Sequence, residues 1–221
     1  MSGLQAANNP NAITENTTLL SPPRATKEQA IAYIVKRGST AYTDFDLGVI
    51  GGHYWNIAVP AGIDPLLAIA QSIHETSDNG HPMSSWWARR PRRNPAGIGV
   101  TGNKRTTDPH DTHNFAFDGS VEPNMWRAGL SFASWELAVK AQVGRLLAFV
   151  LPAGQGTATQ KELITFALNE RPLPASLRGT ATTLKLLGAR HNPTGNGWAS
   201  PGVQYGSRIA AIAREIAAMQ P

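Results

Sequence analysis

The sequence predicts a mainly α fold that carries one small irregular or β-containing lobe, and three observations predict it. Apolar residues recur at helical spacing before residue 77 and again after residue 132. Several of these windows open on a helix-capping residue, two of them in the four-residue capping-box pattern. Between the windows, residues 81–129 lose the helical period and concentrate tryptophan, arginine, glycine, histidine and aspartate. Such a stretch is either a surface insert or a lobe packed by its own aromatics, and the adjacent Trp86 and Trp87 favour the lobe.

Residues 1–24, rich in Asn, Thr and Pro with little periodic apolar content, predict a flexible N-terminal tail. A single domain then runs over residues 25–221. "TKEQ" at 26–29 opens the first helix, ahead of Ile31, Tyr33 and Ile34. A second helix over about residues 45–58 carries Leu47, Ile50, Tyr54 and Trp55 on related turns, although Gly48, Gly51 and Gly52 weaken it. In "GIDPLLAIAQSIHETS", Asp64 suits an N-cap and Pro65 the first helical position, so a third helix covers residues 65–76. Its apolar stripe is Leu66, Ile69, Ala70 and Ile73.

Short strands are expected near residues 114–117 inside the lobe. After it, Ser134 caps a helix that reaches Val150, and Thr157 with Gln160 begins another. A shorter helix includes residues 181–187. The last runs from 201 or 203 to 219, with Tyr205, Ile209, Ile212 and Ile216 as its contact face.

Composition narrows the chemistry. At 221 residues and 41% hydrophobic content the chain is long enough to bury a core. The absence of cysteine excludes disulfides, a thiol nucleophile and cysteinyl metal sites. There is no 18-residue apolar run to span a bilayer and no basic-plus-apolar leader, so membrane insertion is not expected. A formal charge of +5 favours encounter with polyanions, nucleic acid and bacterial envelope alike.

Glu75 is the first candidate for catalysis. It closes the third helix at the end where the helix dipole disfavours a carboxylate and so raises its pKa. A glycosidase acid must still be protonated when it meets the leaving oxygen, and a partly desolvated glutamate meets that need. The competing reading is a solvent-exposed helix-end glutamate.

Four separated signals then occur in order: "GIDPLLAIAQSIHETS", "NPAGIGVTG", "FASWELAVKAQVGRLL", and Trp198 followed by "YGSRI". Over residues 30–219 the chain resembles the bacterial and phage glucosaminidases of glycoside hydrolase family 73, in the lysozyme-like superfamily. The resemblance implies a lysozyme-like helical domain with a small lobe, residues 81–129, flanking a substrate groove. It implies endo-acting hydrolysis of the glycan strands of bacterial peptidoglycan at the β-1,4 bond after N-acetylglucosamine. Glu75 is the implied general acid, Tyr205 the implied cleft tyrosine, and Gln71 a polar residue one turn before the acid. "NPAGIG" is similar to the family's Asn–hydrophobic–Phe–Gly motif through Asn94 and Gly97, with Ala96 in place of the aromatic; Ser77 likewise stands where the family has glycine.

Asn94 offers a donor and an acceptor to an acetamido group, or else braces its own loop. A second carboxylate is open among Asp78, Asp108, Asp111, Asp118 and Glu122. The family's acidic residue on a downstream hairpin points to Asp118 or Asp111, with Asp118 preferred because "NFAFDGS" reads as a strand entering a turn. Participation by the substrate's own acetamido group would make both secondary.

Two further clusters have competing readings. "TTDPHDTH" gathers Asp108, His110, Asp111 and His113, yet lacks a remote ligand, so a polar loop is favoured over a metal site. "WWARRPRR" sets Trp86 and Trp87 beside Arg89, Arg90, Arg92 and Arg93, a set able to stack on sugars and attract carboxylates, or to stack bases and hold phosphates. Without a nucleic-acid-binding signature the sugar reading is favoured and nucleic acid is not the expected partner. The resulting expectation is a cofactor-independent, monomeric wall hydrolase, either extracellular or phage-borne. Alternatives are a muramidase or lytic transglycosylase of the same superfamily, and a non-catalytic peptidoglycan- or nucleic-acid-binding domain.

Overall fold

Every α-helix start but the last is set by a short side chain that satisfies the first free N–H groups. In the computed structural model, which describes residues 12–220, Thr26, Thr43 and Thr157 each form a reciprocal capping box, while Asp64 and Ser134 cap through one bond. The helices that follow are α1 (Lys27–Arg37), α2 (Asp44–Ala58), α3 (Pro65–Thr76), α4 (Trp135–Val150), α5 (Ala158–Glu170) and α6 (Tyr205–Ala217). Three short strands, β1 (Lys104–Arg105), β2 (Phe115–Asp118) and β3 (Met125–Ala128), form one antiparallel sheet in the order β1-β3-β2. The fold is therefore mainly α with a small sheet lobe inserted between α3 and α4.

α3 is the axis of the helical body. Ten of its twelve residues are buried, against α2 on one side and α6 on the other. The predicted stripe of Leu66, Ile69, Ala70 and Ile73 understates this, because Leu67, Ala68, Gln71 and Ser72 are buried as well. A helix enclosed on every side puts even its polar residues inside, where each needs a partner. α4 crosses α2 and carries α5 on its other face. The α4–α5 approach depends on Gly144, where a β-carbon would lie 2.0 Å from the Leu163 carbonyl oxygen.

Three expectations need correction. Residues 12–24 are not a free tail: Ile13 and Leu19 are buried in the main core. The Leu19 N–H donates to the Thr182 carbonyl at 3.0 Å, the Asp64 N–H donates to the Leu19 carbonyl at 3.0 Å, and Arg24 pairs with the Asp64 carboxylate at 2.8 Å. An extended segment held by residues far along the chain leaves no local period to read. The structure of residues 1–11 lies outside the described part.

Between 181 and 187 only a single helical turn, Lys185–Leu187, forms, and α6 begins at Tyr205 rather than at 201 or 203. Gly202, at φ 63°, turns the chain immediately before α6. Among the described residues no helix is long and apolar enough to cross a membrane.

Candidate active site

A line of buried polar side chains crosses the helical body and ends at Glu75. Tyr54 of α2 donates its hydroxyl to Gln142 Oε1 at 2.8 Å. Gln142 of α4 donates through Nε2 to Gln71 Oε1 at 2.9 Å and to the Ala68 carbonyl at 3.0 Å. Gln71 of α3 donates to the Tyr205 hydroxyl at 2.9 Å, and Tyr205, at the start of α6, donates to Glu75 Oε1 at 2.5 Å. Each donor in this chain has its acceptor fixed by the next residue. The amide orientations of Gln71 and Gln142 and the direction of the Tyr205 proton are thereby determined.

Glu75 itself is half-buried, and the other members of the line are buried. Burial raises its pKa above the ordinary glutamate value, while the hydrogen bond from Tyr205 works the other way. Burial, and then the neighbouring Glu75 charge, raise the Tyr205 pKa, so this phenol keeps its proton and remains a donor. His74 packs edge-on against the Tyr205 ring at 5.3 Å, and burial with the nearby Arg208 lowers its pKa, which favours the neutral ring.

The second oxygen of Glu75 has no hydrogen-bond partner among the described residues and lies beside Gly97. At Gly97 an added β-carbon would be 3.6 Å from Oε2, an ordinary contact distance, and the backbone there has φ 61°, so it is the conformation that calls for glycine. Gly97 lines a concavity of about 160 Å³ together with Thr101, Arg145, Arg171 and Trp198. Tyr205 lines another, of about 330 Å³, with His74, Gln204 and Arg208. Glu75 itself lines neither cavity; it lies beside Gly97 of the first and is bonded by Tyr205 of the second. A larger hollow of about 480 Å³ in the lobe, between Arg92, Phe115, Phe117, Trp126 and Phe132, shares no residue with this cluster.

Of the predicted site residues, Gln71, Glu75, Gly97 and Tyr205 come together. The rest do not. Asn94 is fully buried and spends its amide on its own loop: it donates to the Ile98 and Leu130 carbonyls and accepts from the Ala96 and Ile98 N–H groups. It braces the Gly97 turn and has no donor or acceptor left for a sugar.

Asp118 is buried, ion-paired with Arg127 and bonded by the Ser120 hydroxyl and N–H, interactions that hold its pKa below the usual carboxylate range. The reason is register: Asp118 faces Met125 across β2–β3, so Arg127 lies on its diagonal, on the same face of the sheet. Asp111 accepts from the N–H and side-chain amide of Asn114, closing a turn, and its pKa is likewise lowered. Neither carboxylate contacts Glu75 or Tyr205.

The tryptophan–arginine run is also internal. Arg92 stacks over Trp86 at 3.7 Å, with Arg127 at 5.0 Å from the same ring, and Trp87 packs over Gly129, where a β-carbon would be only 2.5 Å from it. Arg89 bonds the Ser84 carbonyl and pairs with Asp78, Arg90 pairs with Asp46, and Arg93 bonds the Pro91 and Phe132 carbonyls. These groups hold the lobe to itself and to the body; Arg92 and Arg93 also line the lobe hollow, and none of them contacts Glu75 or Tyr205.

In the 106–113 loop, His113 pairs with Glu170 of α5 at 3.0 Å, and among the described residues no three His, Asp or Glu side chains gather as a metal site.

Sequence reading missed Tyr54, Gln142, Arg145 and Arg171. The two glutamines do share a signal: each stands among apolar residues on a buried helix, where an unpaired amide is costly. Comparison with family models, curated proteins and solved structures finds no match for this chain.

Proposed function

We propose that this protein hydrolyses the glycan strand of bacterial peptidoglycan as an endo-β-N-acetylglucosaminidase, with Glu75 as its general acid. The observation that carries the reading is the Glu75 carboxyl: half-buried, raised in pKa, oriented through one oxygen by Tyr205 and without a hydrogen bond among the described residues at the other, which lies beside Gly97. The order of the four segments that resemble glycoside hydrolase family 73 supports it. The engagement of Arg89, Arg90, Arg92 and Arg93 by partners within the protein favours it over a nucleic-acid-binding reading.

In this mechanism Glu75 gives its proton to the bridging oxygen as the bond to the anomeric carbon breaks. The engagement of Asp118 and Asp111 elsewhere supports an internal nucleophile. The carbonyl oxygen of the substrate's 2-acetamido group bonds to the anomeric carbon and forms an oxazolinium ion. Water then adds at that carbon, the ring of the intermediate opens, and the water proton passes to the Glu75 carboxylate, which restores the acid. Tyr205 steadies the carboxylate during both transfers. The substrate places the reaction at the bacterial wall, whether the enzyme is secreted or phage-borne.

The same lone carboxylate also serves attack by the C6 hydroxyl of a muramic sugar, the lytic transglycosylase alternative. Mass analysis of muropeptides released from purified walls distinguishes the two. A hydrolase yields new reducing N-acetylglucosamine ends, a transglycosylase yields 1,6-anhydromuramic ends lighter by one water. Glu75→Gln is expected to lower release by about 10²–10⁴-fold, the usual contribution of a general acid. Equal release by wild type and Glu75→Gln rejects the assignment.

A further inference from the structure

Arg145 is a half-buried cation without a counter-ion among the described residues. Its guanidinium lies 5.9 Å from the ring centres of both Phe149 and Trp198, and Nη1 donates to the Arg171 carbonyl at 2.9 Å. Among the described residues no carboxylate is within ion-pairing distance of it, whereas Arg24, Arg90 and Arg127 each face one. Burial, and then the nearby charge of Arg171, push its pKa down to about 10. Holding a guanidinium there is costly unless an anion arrives to share the site.

The place where an anion would arrive is the concavity that Arg145 lines with Gly97, Thr101, Arg171 and Trp198. At about 160 Å³ it is smaller than pockets that enclose whole small ligands, so it suits a substituent, not a sugar ring. Gly97 is its shared wall with Glu75. In peptidoglycan the oxygen released by a glucosaminidase is O4 of the muramic sugar. The adjacent O3 carries the lactyl group, which ends in a carboxylate or continues into a carboxylate-bearing peptide. An acid at O4 and a cation beside it therefore match two neighbouring positions on one ring.

We propose that this concavity is the subsite for the carboxylate carried by the O3 substituent of the muramic sugar on the leaving side, with Arg145 as the fixed half of the clamp and Arg171 as the exposed half. The proposal rests on the glycan-hydrolase reading above. Arginine suits the task because its planar fork binds carboxylates bidentately. Trp198 gives the lactyl methyl an apolar wall. The subsite makes the enzyme prefer peptidoglycan over a neutral polymer of N-acetylglucosamine.

The test compares wild type, Arg145→Gln and Arg171→Gln on three substrates: intact peptidoglycan, glycan stripped of peptide so that the lactyl carboxylate is free, and a neutral N-acetylglucosamine oligomer. The expected result is a loss of about tenfold or more on the charged substrates with the neutral oligomer unchanged. A larger loss on stripped glycan assigns the clamp to the lactyl carboxylate, a larger loss on intact wall to the peptide. A parallel fall on all substrates, or no change on any, overturns the proposal.

Arg171 is exposed, so its variant carries the test if Arg145→Gln does not fold. Binding of N-acetylmuramic acid and N-acetylglucosamine to the same proteins, followed by NMR, is read independently of cleavage. A wild type that cuts nothing defeats the hydrolase reading. Preference for N-acetylmuramic acid that disappears in Arg171→Gln still supports the anion subsite, and its absence from wild type overturns it.

Discussion

The helical body and the sheet lobe both bury polar groups, but they close their hydrogen bonds differently. In the lobe, Asn94, Arg92 and Arg93 donate to nearby backbone carbonyls, and Asp118 is held by Ser120 and Arg127, all partners close by in the lobe and its exit. In the body, the line from Tyr54 through Gln142, Gln71 and Tyr205 runs toward one carboxyl whose second oxygen has no partner among the described residues. A closed network rigidifies; an open one holds a reactive group in place. The residue types alone, with their arginines and tryptophans, pointed to the lobe as the place for ligand contacts, and the closure of its bonds moves that expectation to the body.

The comparison breaks most sharply at Asn94. Asn94→Ala removes four hydrogen bonds and strands buried backbone groups at Ile98 and Leu130, and is expected to cost about 2–4 kcal/mol in denaturant unfolding. A loss of activity at unchanged stability would instead make Asn94 a ligand contact. Next in size, Tyr205→Phe should lower cleavage about tenfold, about 1.4 kcal/mol in the barrier. The Tyr205 bond lowers the Glu75 pKa, so its removal raises that pKa and moves the basic limb of the pH–rate profile to higher pH. A limb that stays in place would show that Tyr205 does not act through the carboxyl.

Glu75 also links stability to pH. Its pKa in the folded protein is raised, so between the unfolded and folded values the native state binds more protons than the unfolded state. Its contribution is fully present below the unfolded pKa and is lost as pH rises through the folded one. Glu75→Gln should therefore melt higher than wild type at neutral pH, and the gap should narrow on acidification. A gap independent of pH would remove burial as its cause.

The smallest effects belong to the lobe carboxylates. Asp118→Asn should lower the melting temperature by about 2–4 °C, with its contribution lost in wild type as pH falls through the depressed pKa, and leave cleavage per folded molecule unchanged. Asp111→Asn should alter neither. Loss of cleavage in either variant would restore a second catalytic carboxylate.

Much of the fold was legible because helix boundaries depend on residues three or four apart. Thr26 with Gln29, Thr157 with Gln160, and Asp64 followed by Pro65 each marked the start that the structure shows. Ile13 and Leu19 were not legible, since their partners lie far along the chain. Within the site, Glu75, Gln71, Gly97 and Tyr205 were read through a resemblance, and the structure places the four side by side. Gln142 was missed because its partner Gln71 is 71 residues away, and Asp118 was misassigned because its diagonal to Arg127 exists only once β2 and β3 are in register.

By itself, then, the sequence determined the caps, the helices they start, and the change of character between α3 and α4, all consequences of local spacing. Only the tertiary structure decided which polar groups close on one another and which remain open. That choice depends on burial and on partners brought from other elements: Arg127 and Ser120 engage Asp118, whereas Tyr205 orients one oxygen of Glu75 and the other stays unbonded beside the bare backbone of Gly97.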